Sequence, residues 1–454
     1  MQRRKWLKTS AKGLPVLWMF PSLLSACAKD PNPNRPNGKS VVVVGAGIAG
    51  LAAAKHLKEA GFSVQVLEAQ GQIGGRIRTE RSTGIAFDEG ASWIHGPNGN
   101  PLTKLAYEAG ATSMVTPDDE VLVFNEQGVP YQDNVLSAAE DAFSDALEAV
   151  QDAGTSIQSF QSVFQQLYPT QFNDPLWKYM LSAYLEFDTG ADISDLSSVH
   201  FEDDEAYEGA DVLIINGYDR LTDQLANGLE IKLNQVVTSL NYAEKKVQIT
   251  ANGALIEADF AVVTVPLGVL KKGTIAFTPE LPTTKKEAIL HTEMGNVNKF
   301  LLVWDQPFWD TSLQYIGFTP QTKGKFNYFL NLKKNTSANA LMTFAFGDYA
   351  NLTESKTEDE LIQEIMQHLK QIYGNNLPNP THFRRTKWGQ QPYSYGAYSF
   401  ATNGRSSADF DTLAAPLQNL VFFAGEHTHR DYRGTAHGAY ASGIRGAENI
   451  IDLV

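Results

Sequence analysis

Two apolar patterns recur along the 454-residue chain, and they predict different elements. The first is the unbroken run. Val41 to Val44 is apolar at every position, as in a strand covered on both faces. Phe300 to Trp304 is a second such run, opened by one cation, Lys299, in "MGNVNKFLLVWDQPFW". A lysine at the mouth of such a strand either snorkels to water or finds partners inside. The second pattern has the helical period. Asn134 to Gly154 carries Leu136, Phe143, Leu147 and Val150 on one stripe. "TEDELIQEIMQHLKQIYG" carries Leu361, Ile365, Leu369 and Ile372 behind a Thr357–Glu360 capping box. Both stripes read as core packing.

The run Val41–Val44 continues into "GAGIAGLAAAKHLKEAGFSVQVLEA". The pattern predicts a helix from Ile48 to about Ala60, stopped by Gly61, and a second strand over Val64 to Leu67 that ends at Glu68. Gly45, Gly47 and Gly50 form GxGxxG in the turn between strand and helix. The first glycine permits the tight turn, the second lets backbone approach a diphosphate at the helix N-terminus, and the third lets helix pack on strand. Glu68 falls about 20 residues on, the reach of a ribose hydroxyl. "GQIGGRIRTE" then supplies a second glycine turn, Gly74-Gly75, with Arg76 as a further donor to the same diphosphate.

Length favours about two domains, and 43% apolar content favours a globular chain. The net charge is -14, although the first 26 residues hold Arg3, Arg4, Lys5, Lys8 and Lys12 and no acid. An acidic body speaks against nucleic acid as a partner and favours cationic ligands. One cysteine, Cys27, excludes an intramolecular disulfide and a cysteine-cluster metal site, and no metal site is expected. The basic start, the apolar stretch Leu14 to Leu24 and the small residues after it read as an export signal, too short and proline-broken to span a membrane. Arg3-Arg4 resembles a twin-arginine signal, with Trp6 and Gln2 departing from the usual pattern, and "LSAC" resembles a lipoprotein cleavage box that would lipidate Cys27. "KDPNPNRPNG" reads as a flexible tether.

Together the two glycine turns resemble those of the flavin-containing amine oxidases, a family of monoamine oxidases, polyamine oxidases and lysine-specific histone demethylases. The resemblance extends through "FDEGASWIHGP", "NGYDRL", "IKLNQVVTSLNY", "ADFAVVTVPLGVL", "WGQQPYSYGAYS" and "FFAGEHTHRDYRGTAHGAYASGIRGAENI". It implies an α/β chain: a Rossmann-type FAD-binding domain with an inserted α+β substrate-binding domain. By the spread of these motifs, 1–26 is the export signal, 27–39 the tether, 40–100, 206–279 and 396–454 the FAD-binding domain, and 101–205 with 280–395 the substrate-binding domain.

The resemblance also implies roles. Ala91, Ser92 and Trp93 would run along the isoalloxazine, Val237 would lend backbone to the adenine, and Glu426 would bind the ribityl chain or ribose. Thr435 and Ala436 would flank the flavin edge at a helix start, and Trp388 and Tyr398 would form aromatic walls, with Thr435 where monoamine oxidases have a second tyrosine. FAD would be noncovalent, since the lone cysteine is Cys27. Lys299 would hold a water at flavin N5, and His95 would lie beside the substrate amine. Glu186, in "YLEFD", is a candidate for a second substrate ammonium; the alternative is a solvated or capping acid. The expected activity is a polyamine oxidase that uses O2 and releases peroxide, lipid-anchored on the periplasmic side of a bacterial membrane. The alternatives are an L-amino-acid oxidase, which needs an arginine such as Arg433 to clamp a carboxylate, and a flavoprotein that binds without turnover.

Overall fold

Val41 and Val43 pack into one apolar cluster, and Val42 and Val44 into another, so the strand Ser40–Val44 is covered on both faces. That is why its run is unbroken. The structure, a computed structural model, describes residues 38–454. The strand sits at the centre of a five-stranded parallel sheet, between Phe260–Val263 and Ser63–Leu67, with Val421–Phe423 and Glu230–Lys232 at the edges. Helices Ile48–Glu59 and Ala436–Ile451 cover one face. They approach closely because of Gly443, where a Cβ would come within 2.1 Å of the Ala49 carbonyl oxygen.

The segment Ile231 to Tyr242 does not form one strand. Asn234, at φ 56°, turns the chain, so that Glu230–Lys232 stays in the parallel sheet and Val237–Asn241 joins a four-stranded sheet with Val247–Ala251, Ala254–Ala258 and Ala276–Thr278. The two stripes are helical as expected, over Asp133–Ala153 and over Glu358–Tyr373, where the Thr357–Glu360 capping box is formed.

The second large sheet has six strands in the order His382–Arg385, Val297–Val303, Ala340–Phe346, Lys325–Asn331, Tyr315–Phe318 and Val121–Phe124. Here the sequence reading needs correction. Lys299 is the third residue of Val297–Val303 and lies inside the strand, paired with Phe344, not at its mouth. Among the described residues no helix is long and apolar enough to cross a membrane. The export signal, Cys27 and most of the tether lie outside the described residues.

Candidate active site

A cavity of about 460 Å³ runs from the glycine turn of the parallel sheet to the six-stranded sheet. At its first end are Gly45, Gly47, Glu68, Gly75 and Arg76. Gly45 has φ 109°, and a Cβ there would come within 2.7 Å of Thr264 Oγ1. Gly50 does not line the cavity; it lies in the helix, where a Cβ would come within 2.0 Å of the Gly45 carbonyl oxygen. A Cβ on Gly47 would meet nothing nearer than the Gly74 carbonyl oxygen at 4.0 Å, so this backbone faces open space. Gly47 caps helix Ile48–Glu59, and no side chain hydrogen-bonds to that cap. Uncapped N–H groups at a helix start suit a diphosphate.

Glu68 is buried at the end of its strand. It accepts hydrogen bonds from Ala46 N (2.7 Å) and Gln70 N (2.8 Å), one on each oxygen. Burial raises its pKa, against the pull of those backbone donors. Each oxygen keeps a lone pair for a ribose hydroxyl. Arg76 is held by Glu426 Oε1 (2.7 Å) and the Ala397 carbonyl (2.9 Å). The other Glu426 oxygen accepts from Gly434 N at 3.0 Å and from the Ser399 hydroxyl. Burial opposes its charge, but Arg76 and these bonds win and hold its pKa low. Glu426 lines the cavity while its oxygens are engaged with protein, so it sets the place of Arg76.

The cavity continues past Ala91, Ser92, Trp93, His95, Val237, Lys299, Trp388, Tyr398, Thr435 and Ala436. Lys299 does not snorkel. It is 6% exposed, and its Nζ donates to the carbonyls of Asp88 (3.1 Å) and Gly90 (2.5 Å) and to the Ser92 hydroxyl, 5.4 Å from the Trp93 ring. Burial pushes its pKa down to about 8, with Asp88 and Glu89 pulling the other way. Asp88 is itself buried, which pushes its pKa up to about 6. Trp388 is fixed by its indole N–H on the Glu89 carbonyl (2.9 Å). The Tyr398 hydroxyl donates to the Phe187 carbonyl, and its ring leaves room only for glycine at 190, where a Cβ would stand 2.9 Å away. Thr435 begins the last helix, and its hydroxyl is committed: it donates to the Tyr432 carbonyl (2.7 Å) and accepts from Gly438 N (2.9 Å).

Besides Gly50, two further expectations do not reach the cavity. Glu186 is 1% exposed, paired with Lys323 and bonded by the Ser182 hydroxyl at 3.1 Å, and it does not line the cavity. Its neighbours Phe187 and Asp188 do. The π-helical turn Leu181–Glu186 shifts the register there. Arg433 is 5% exposed and takes Asp203 (2.7 Å) and the His200 carbonyl (2.8 Å); it also stays outside the cavity. Sequence reasoning missed Asp118, Asp188 and Asp211. Asp211 Oδ2 lies 2.6 Å from His95 Nδ1, and its other oxygen accepts from Gly96 N (2.9 Å). No local motif marked this aspartate, and only the antiparallel pairing of Trp93–Ile94 with Val212–Ile214 brings it to His95.

A parallel sheet whose glycine turn opens into a cavity walled by tryptophan, tyrosine and a buried lysine defines a dinucleotide-binding protein. The comparisons with known proteins narrow the class. Residues 48–451 match the profile of the flavin-containing amine oxidoreductases, and the chain belongs to that family. It is an FAD-dependent amine oxidase by that membership. It is 32% identical to polyamine oxidase 4 of Oryza sativa subsp. japonica, over 95% of this chain and 90% of that one. It is 33% identical to lysine-specific histone demethylase 1 homolog 3 of Arabidopsis thaliana, over 92% of this chain but only 30% of that protein. A redesigned putrescine oxidase shares the fold at TM-score 0.75 and 21% identity, over 91% of this chain and 99% of that one. The uncapped helix start, the open space at Gly47 and the buried Glu68 fit FAD.

Proposed function

We propose that the protein oxidises polyamines at a C–N bond, with O2 reduced to H2O2. The observation that carries this reading is the charge of the cavity lining. Asp118, Asp188 and Asp211 line it with Lys299, while Glu89 is paired with Arg78 and Glu68 lies at the glycine-turn end. Arg76 is neutralised by Glu426, so a cationic substrate is drawn in and a carboxylate is not. The sequestration of Arg433 weighs against an amino-acid oxidase for the same reason.

FAD, when bound, would supply the two-electron oxidant for the carbon next to the amine nitrogen, with O2 as the final acceptor. The chain's own residues prepare the substrate. The amine must lose its proton before its lone pair can assist. Trp388 and Tyr398 supply aromatic walls that strip water from the ammonium and favour its neutral form. Asp211 anchors His95 Nδ1, which makes Nε2 the ring's remaining polar atom for a substrate amine. Lys299, tied to Asp88, Gly90 and Ser92, holds positive charge in the wall and can exchange a proton through its Nζ.

A peroxide assay over spermine, spermidine, their acetylated forms, benzylamine and L-amino acids tests this. Polyamines should be turned over fastest; a monoamine or an amino acid in first place overturns the polyamine assignment.

We infer also that the protein is exported and anchored through Cys27, a reading supported by Arg3-Arg4 and "LSAC". Cys27→Ser should move the protein from the membrane fraction to the soluble one with turnover unchanged. Retention in the membrane fraction would count against lipidation.

A further inference from the structure

We propose that the buried pair Glu354–Asn298 is a positioning device that holds Trp388 and Lys299 in register with each other. Neither residue lines the cavity, and the proposal rests on the reading of that cavity as the amine-oxidising site. Glu354 closes the helix Gly347–Ser355 and is 4% exposed. Its Oε1 accepts three N–H groups: Asn296 Nδ2 (2.8 Å), Asn298 Nδ2 (2.9 Å) and Gly389 N (2.8 Å). Among the described residues no basic side chain makes an ion pair with it; Arg385, the cation that feels its charge, donates instead to the carbonyls of Lys356 (2.8 Å) and Thr353 (2.5 Å).

A buried anion that no cation touches is costly for a contact that merely packs. What it does here is dictate the orientation of an amide. A carboxylate only accepts, so Asn298 must turn its NH₂ toward Glu354 and the Ala350 carbonyl (3.1 Å). The Asn298 oxygen is thereby aimed the other way, where it accepts from Trp388 N (3.0 Å) and the Thr386 hydroxyl (3.1 Å). That hydroxyl accepts in turn from Lys299 N (2.9 Å).

The bonds close into a ring. The Trp388 indole is on the Glu89 carbonyl, and the next carbonyl, Gly90, holds Lys299 Nζ. Lys299 is thus tied at its backbone to Thr386 and at its ammonium to the carbonyl next to the one that Trp388 braces. There is little slack: a Cβ on Gly389 would lie 3.0 Å from both Glu354 Oε1 and Asn296 Nδ2.

The test uses three variants of the flavin-loaded full chain. Glu354→Leu removes the acceptor, Glu354→Gln keeps an oxygen in its place, and Thr386→Val removes one hydroxyl of the ring. The first readout needs no substrate: the flavin absorption band at ~450 nm, a general flavin property, is titrated with pH. The wild type should show an inflection near the Lys299 pKa, which burial sets at about 8. In Glu354→Leu and Thr386→Val the loosened ring admits water to Nζ, and the inflection should rise by about one unit, while Glu354→Gln stays at the wild-type value. The second readout is turnover: kcat should fall ~10-fold in the two disrupting variants with KM within about twofold, a transition-state effect without a binding effect.

An unmoved inflection in a folded Thr386→Val or Glu354→Leu overturns the proposal, as does a wild type with no inflection. If Glu354→Leu does not fold, Thr386→Val decides alone. Because the titration uses no amine, a failure of polyamine turnover would defeat the proposed function without touching this result.

Discussion

Lys299→Met should leave a folded, yellow protein whose amine turnover is ~100-fold slower than wild type, the scale of one positioned proton-transfer group. Methionine fills the space of the lysine stem but cannot donate. The carbonyls of Asp88 and Gly90 and the Ser92 hydroxyl lose the ammonium they share, and Asp88 loses a cation that opposes the effect of its burial. The pH dependence should change as well. The Lys299 ammonium, its pKa lowered to about 8 by burial, is charged below that pH and neutral above it. A wild-type rate that changes as pH passes about 8 should lose that step in Lys299→Met. Stopped-flow absorbance resolves reduction by amine from reoxidation by O2. Wild-type rates in both half-reactions, in a folded and flavin-loaded mutant, would make Lys299 a structural lysine.

Glu68→Ala should have the second large effect, on cofactor retention. Its carboxylate fixes Ala46 N inside the glycine turn and Gln70 N just past its own strand, and its remaining lone pairs would hold the ribose. Loss of charge-assisted bonds at ~1.5–3 kcal/mol each predicts FAD binding weaker by about 10- to 100-fold or more. Equilibrium dialysis or the flavin-to-protein absorbance ratio after gel filtration measures it. Acid or heat should release flavin intact, because the chain's one cysteine is Cys27. Flavin that stays attached to the denatured chain would contradict noncovalent binding.

The parts of this molecule that were legible in the sequence are those set by neighbours along the chain. The run Val41–Val44, the glycines that follow and Glu68 lie on one strand–turn–helix–strand unit, so spacing alone placed them. The capping box of Glu358–Tyr373 was legible for the same reason. Where a turn intervenes, the pattern said less. The left-handed Asn234 divides Ile231–Tyr242 between two sheets. The π turn before Phe187 sent Glu186 to Lys323 and left Asp188 to line the cavity.

Long-range pairing was silent. Asp211 reaches His95 only because two strands far apart in sequence are registered against each other, and the ring through Glu354, Asn298 and Trp388 joins a helix, a strand and a loop. Lys299 shows both cases. Its place in an apolar run raised the right question, but its partners come from the loop that begins at Asp88.

The most direct measurement is anaerobic mixing of the purified, FAD-loaded protein with spermidine, followed at the flavin band at ~450 nm. An amine-oxidising site predicts full bleaching by spermidine without O2, recovery of the colour when O2 is admitted, and little bleaching by an L-amino acid under the same conditions. A band that stays oxidised in excess spermidine and spermine, or that bleaches first with an amino acid, would contradict it.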